Sequence, residues 1–187
     1  MKKILALVLA LVMVLCAASA LAAGSKTVDD TQNATVEPAS AGQGGYYPKT
    51  ATEELALKIV GATAESQAVL DAFKAAFDAG NALSILPDDI KAQIPEDEAS
   101  INEMVTAQFV GDTTAVAGEF KATITFKSSY EAGTEVSVLL GKLGGEEIKW
   151  TVLKGKVNAD GAIEVVIPAA VIADLGNNPF ILAVVSK

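Results

Sequence analysis

The densest group of chemically capable side chains in this chain is acidic: Asp88 and Asp89, followed by Glu96, Asp97 and Glu98. Carboxylates can ligate a hard cation through oxygen. As a pair across a cleft, one protonated and one ionised, they can also hydrolyse a glycosidic bond. The EF-hand alternation of acids around a loop glycine is absent, so calcium is not the reading the spacing favours. These acids suit a simpler use. Pro87 fits the first turn of a short helix, Asp88 and Asp89 favour the positive end of its dipole, and the acids after Pro95 belong to a solvated loop. The chain has no histidine, which removes Ser–His–Asp triads, Cys–His pairs and the common histidine zinc sites. No residue is therefore assigned as catalytic, cofactor-binding or metal-binding, and no cofactor is expected.

Gly141, Gly144 and Gly145 are spaced like a phosphate loop but lie in a β-hairpin, with no Gly-Lys-Ser/Thr sequence beside them; a tight turn explains them without a nucleotide. Trp150, the only tryptophan, alternates with Ile148 and Val152 and reads as core rather than as a sugar platform. Tyr46, Tyr47 and Tyr130 are the candidate partner contacts. Tyrosine offers a rigid amphipathic ring at low entropy cost. The first two adjoin a flexible segment, and the third lies in the Ser128-Ser129-Tyr130 turn.

The first residues set the compartment. Lys2 and Lys3 precede an apolar run from Ile4 to Cys16, and Ala20-Leu21-Ala22 offers the small-x-small pattern of a cleavage site before Ala23. Residues 1–22 are thus read as a signal peptide, whose apolar run is shorter than the ~20 residues of a membrane span. Leu15 before Cys16 makes a poor lipobox. Cleavage removes the only thiol, two lysines and no acid, moving the formal charge from −9 to −11. With no arginine and scattered lysines, nucleic acid is not an expected partner. The protein is expected to be secreted or associated with the extracellular surface, with no membrane span after processing.

Residues 23–49 lack any apolar period and read as a flexible linker. Residues 50–187 then form a single α+β domain, helical over about 63–101 and β-rich over about 103–187. Thr63 caps a helix whose Val69, Leu70, Phe73 and Phe77 share one side, and Gly80 stops it. Phe120, Ala122, Ile124 and Phe126 alternate with polar residues, the period of a strand with one face in the core. Glu135–Lys142 and Glu147–Lys154 flank Gly144-Gly145 as a hairpin, with Val136, Val138 and Leu140 expected to share a face with Ile148, Trp150 and Val152. Asn158–Gly161 is a second turn. Pro168–Leu175 is a short helix, and Phe180–Val185, apolar on both faces, is a central strand.

The final segment Asn178-Pro179-Phe180-Ile181-Leu182-Ala183-Val184-Val185, the Ala122–Phe126 strand, the turn Glu131-Ala132-Gly133 and the Trp150 hairpin together resemble small exported proteins of Gram-positive gut bacteria. The family pattern often has Ser-Pro-Phe-Ala where this chain has Asn178-Pro179-Phe180-Ile181. The resemblance implies an immunoglobulin-like or related β-sandwich, mainly antiparallel, with an N-terminal helical portion, and it carries no binding residue across. The expected function is that of a noncatalytic exported or envelope-associated module binding an extracellular protein or glycan. A carboxylate-based glycan hydrolase is the alternative.

Overall fold

The structure, a computed structural model, describes residues 34–38 (backbone only), 55–98, 100–114, 116, 118–126 and 130–187. Residues 1–22, read as a signal peptide, and the candidate contacts Tyr46 and Tyr47 lie outside these residues. The elements run β1 (Ala34–Pro38), β2 (Ala56–Ile59), α1 (Ala64–Asp78), a 3-10 turn (Ala82–Ile85), α2 (Asp88–Lys91), β3 (Ser100–Val110), β4 (Glu119–Phe126), β5 (Glu135–Lys142), β6 (Lys149–Val157), β7 (Ile163–Pro168), α3 (Ala169–Leu175) and β8 (Phe180–Ser186). The stretch read as a linker thus contains β1.

All strands belong to one antiparallel sheet. Seven of them, in the order β4-β7-β6-β5-β8-β3-β2, make the wall of a nearly closed barrel, and β1 pairs with the outer edge of β4. Strands β1 and β2 lie side by side at the seam. The expected immunoglobulin-like or related β-sandwich is therefore incorrect. A sandwich needs two sheets with a break in the hydrogen-bonded ladder between them, whereas here each strand from β4 round to β2 is paired to the next. The inward side chains of these strands meet in one interior: Leu57, Val105, Phe109, Phe120, Ile124, Val138, Leu140, Ile163, Ile167, Leu182 and Val184 form a single cluster. Phe109 of β3 and Phe120 of β4, five strands apart in the strand order, touch with ring centroids 5.8 Å apart. Ile172 and Leu175 of α3 join the same cluster, so this helix plugs the Phe120–Ile167 end of the barrel.

A second cluster lies outside the wall. Leu70 and Phe73 of α1, with Leu86, Ile90 and Ile94, cover Ile101, Met104, Leu139, Ile181, Ala183 and Val185 on the outer faces of β3, β8 and β5. Every residue of β8 is consequently buried. Helix α1 begins where its chemistry dictates. The Thr63 hydroxyl accepts from the Ser66 amide at 3.1 Å, and the Ser66 hydroxyl accepts from the Thr63 amide at 2.8 Å, a reciprocal capping box. Strand β3 crosses between the clusters through a bulge at Asn102: Ile101 pairs with Val185 and Glu103 with Val184. The extra residue sends Ile101 outward and Glu103 inward.

The hairpin faces also differ from expectation. The second strand begins at Lys149 and runs unbroken to Val157, and the register sets Gly141 opposite Trp150 and Val138 opposite Leu153. Val136, Val138 and Leu140 therefore face the interior, while Trp150 and Val152 lie outside, with Trp150 edge-on to Phe73 at 5.5 Å. Gly141 makes this placement steric as well as topological, because a Cβ there would stand 2.7 Å from the indole. Gly141→Ala is expected to cost about 1–3 kcal/mol by overpacking and to alter tryptophan fluorescence; urea denaturation with that readout checks both.

Candidate binding face

The helices cover only part of the barrel's exterior. On the other side, among the described residues no helix packs on the outward residues of β7, β4 and the Lys154–Val157 end of β6, and the alternation that sends Val157, Ile163, Val165, Ala122 and Ile124 inward sends Lys156, Glu164, Val166, Lys121 and Thr123 outward. Register builds two rows across the strands. Glu135, Lys156, Glu164 and Thr123 are cross-strand neighbours in sequence, and Val166 lies opposite Lys121 in the next row, with Lys154 opposite Ser137. Lys121, Glu135, Lys154, Gly155, Lys156, Glu164 and Val166 line a shallow open groove of about 420 Å³.

The charges in the groove are unequally engaged. Lys121 Nζ lies 3.2 Å from Glu164 Oε2. Lys154 Nζ donates to Ser137 Oγ at 3.1 Å and stands 3.9 Å from Glu98 Oε1, so its ammonium is tethered although its side chain is mostly exposed. Lys156 and Glu135 have no ion-pair partner among the described residues. Gly155, between the two lysines, faces the interior, where a Cβ would meet Ile163 at 2.9 Å and Val136 and Val138 at 3.1 Å. Val166, 39 % exposed, supplies the apolar floor. This outside-charged, inside-apolar pattern is the reverse of a lipid-embedded barrel, and among the described residues no helix is long and apolar enough to cross a membrane.

The acids singled out by sequence do not converge. Asp88 and Asp89 sit in the first turn of α2, with Asp88 held below the usual aspartate range by its hydrogen bond to Lys91. Asp97 pairs with Lys187 at 2.5 Å, which lowers its pKa and raises that of the lysine. Glu98 is buried, facing Lys154, and its Oε2 has no hydrogen-bond partner among the described residues. Among the described residues, no group of three or more potential ligands could hold a metal ion. Tyr130 is 8 % exposed, packed edge-on against Phe126 at 6.5 Å. Burial, and then the inward Glu103 carboxylate, push its hydroxyl pKa well above the ordinary value. Its ring is thus spent on the barrel end opposite α3.

A separate carboxylate reports on α3. Asp174 accepts from Lys149 at 2.9 Å and from Lys142 at 3.0 Å, and these bonds lower its pKa. The contribution of a depressed carboxylate is present above its unfolded pKa and lost as pH falls through the lower folded value. In carboxyl-detected NMR titrations Asp174 is expected to titrate below an ordinary aspartate, and Lys142→Met with Lys149→Met to move it back up.

The groove residues Lys121, Glu135, Lys154, Lys156, Glu164 and Val166 are scattered over four strands and form no motif. Their only sequence signal is alternation: Lys121 and Thr123 fall on the watery side of the cleanest strand. Comparison with protein-family models, curated proteins and solved structures found no match.

Proposed function

We propose that the protein is a noncatalytic exported or envelope-associated module that holds an extracellular protein or glycan on the uncovered outer face of β6, β7 and β4. One observation carries this reading. The helices cover the β3–β8–β5 exterior with apolar contacts, whereas among the described residues no helix covers the groove face, which sets charged side chains around the half-exposed Val166. A rigid sheet presenting a polar rim about a small apolar centre has the anatomy of a recognition surface. The leader supports export. The test is binding of the mature protein to mucin and to cell-envelope preparations, compared with a variant carrying Val166→Asp and Lys121→Glu. Binding lost in that variant, with unchanged thermal unfolding, supports the face; equal binding by both proteins rejects it.

The alternative, a carboxylate-based glycan hydrolase, draws on Glu135 and Glu164 lining one groove. Against it, Glu164 is engaged by Lys121, and neither acid sits in the apolar enclosure that keeps a general acid protonated. Turnover on a glycan panel that disappears in Glu135→Gln and Glu164→Gln would establish hydrolysis; no turnover leaves binding.

A further inference from the structure

We propose that β1 is an exchangeable strand, and that the outer edge of β4 takes Ala34–Pro38 of a second copy of this chain in a reciprocal dimer. Among the described residues β1 has one ladder, the antiparallel pairing with β4 that runs from Ala34 opposite Phe126 to Pro38 opposite Ala122. On its other side it lies beside β2 without a ladder. It is thus held by one edge, and it ends in Pro38, which has no amide hydrogen to donate. The connection to β2 does not impose this position. The two strands run antiparallel at the seam, where a hairpin needs about 2–5 residues, yet residues 39–55 supply 17. Fully extended, such a connection spans at most about 60 Å, against about 35–40 Å for the width of a domain of this size. It therefore reaches the β4 edge of an adjacent copy as well as its own.

The interior does not require the strand to come from the same chain. Phe109 meets Phe120 directly across the wall, and Ile172 and Leu175 of α3 close the barrel end. Without β1, however, the backbone groups of residues 122–126 on β4 would form an open edge. The segment whose register fits that edge is carried by every copy, which is why the occupant is a second copy rather than an unrelated peptide. Exchange breaks and remakes the same ladder, so concentration rather than new contacts sets its free energy. A tether of this length offers its own strand at an effective concentration of roughly millimolar. Dilute copies keep β1 at home, and copies crowded to that level trade it. Reciprocal trade leaves no edge open and stops at two chains, whereas one-way donation would run on into a fibre.

The test uses residues 23–187, which contain no native cysteine. Thr35 stands opposite Thr125, which is exposed, and directly opposed residues of an antiparallel pair are within disulfide reach. Copies carrying Thr35→Cys are mixed with an equal amount of isotope-labelled copies carrying Thr125→Cys, held at about 1 mM until the mixture stops changing, then oxidised and mapped by mass spectrometry. Linkage of position 35 to position 125 between labelled and unlabelled chains is expected to exceed the like-with-like linkages combined, the level that random collision gives. The single chain carrying both Thr35→Cys and Thr125→Cys, oxidised while dilute, locks β1 at home. It is expected to remain monomeric in analytical ultracentrifugation at about 1 mM, where the parent protein reaches comparable amounts of monomer and dimer. A parent protein that stays monomeric there, a locked variant that dimerises as the parent does, or mixed linkage no commoner than the like pairs would overturn the proposal. Failure of the locking disulfide to form would remove the β1–β4 pairing, and the proposal with it.

Discussion

Replacing Phe109 with alanine is expected to destabilise the protein by about 3–5 kcal/mol, the usual cost of emptying a fully buried phenylalanine site. The ring has no exposed surface and lies between Phe120 and Phe180, with centroids at 5.8 and 5.5 Å. Its effect should extend beyond lost area, because it joins β3 to β4 across the interior rather than along the ladder. A double-mutant cycle with Phe120→Ala is expected to give a coupling of about 0.5–1.5 kcal/mol, the range for aromatic pairs. Urea denaturation with an unchanged m-value supplies both numbers. Independent effects of the two substitutions would contradict closure of the sheet on itself.

An aspartate on either face of β8 should abolish folding. Val184 points into the barrel and Val185 into the layer under α1, both with no exposed surface. A charge at either site would be buried without a partner, a cost of several kcal/mol that a domain of ordinary stability cannot absorb. Val166→Asp, on the open face of β7, is expected to stay within about 0.5 kcal/mol of the parent protein. Soluble expression and circular dichroism of the three variants make the comparison. A folded Val185→Asp protein would mean that the helices do not seal the outer wall.

The same contrast marks what was legible from residues in order. The alternation in Glu119–Phe126, the capping threonine at 63, the turn at Asn158–Gly161 and the two-sided apolar run of β8 are local signals: backbone geometry and a two- or 3.6-residue period decide them within a few neighbours. The bulge at Asn102 was not legible. One inserted residue reverses the inward and outward sets, and a buried Glu103 looks in sequence like a polar residue meant for water. Trp150 was misplaced for a related reason. Its face depends on being opposite Gly141, and a hairpin's register follows from which pairing packs best, not from the composition of one strand.

The candidate groove was less accessible still. Lys121, Glu135, Lys154, Lys156 and Glu164 are ordinary solvated residues within their own strands, and only the order β4-β7-β6-β5 sets them side by side. The acids at 88, 89 and 96–98 show the converse, since density along the chain did not become a cluster in space. By itself, the sequence determined an acidic chain without histidine or arginine, an apolar N-terminal run behind two lysines, and the faces of most strands. Only the tertiary structure decided between barrel and sandwich, because alternation says which side chains turn inward but not whether they meet a second sheet or the far side of their own. Curvature, accumulated over seven strands and closed by contacts such as Phe109 with Phe120, is a property of the whole wall.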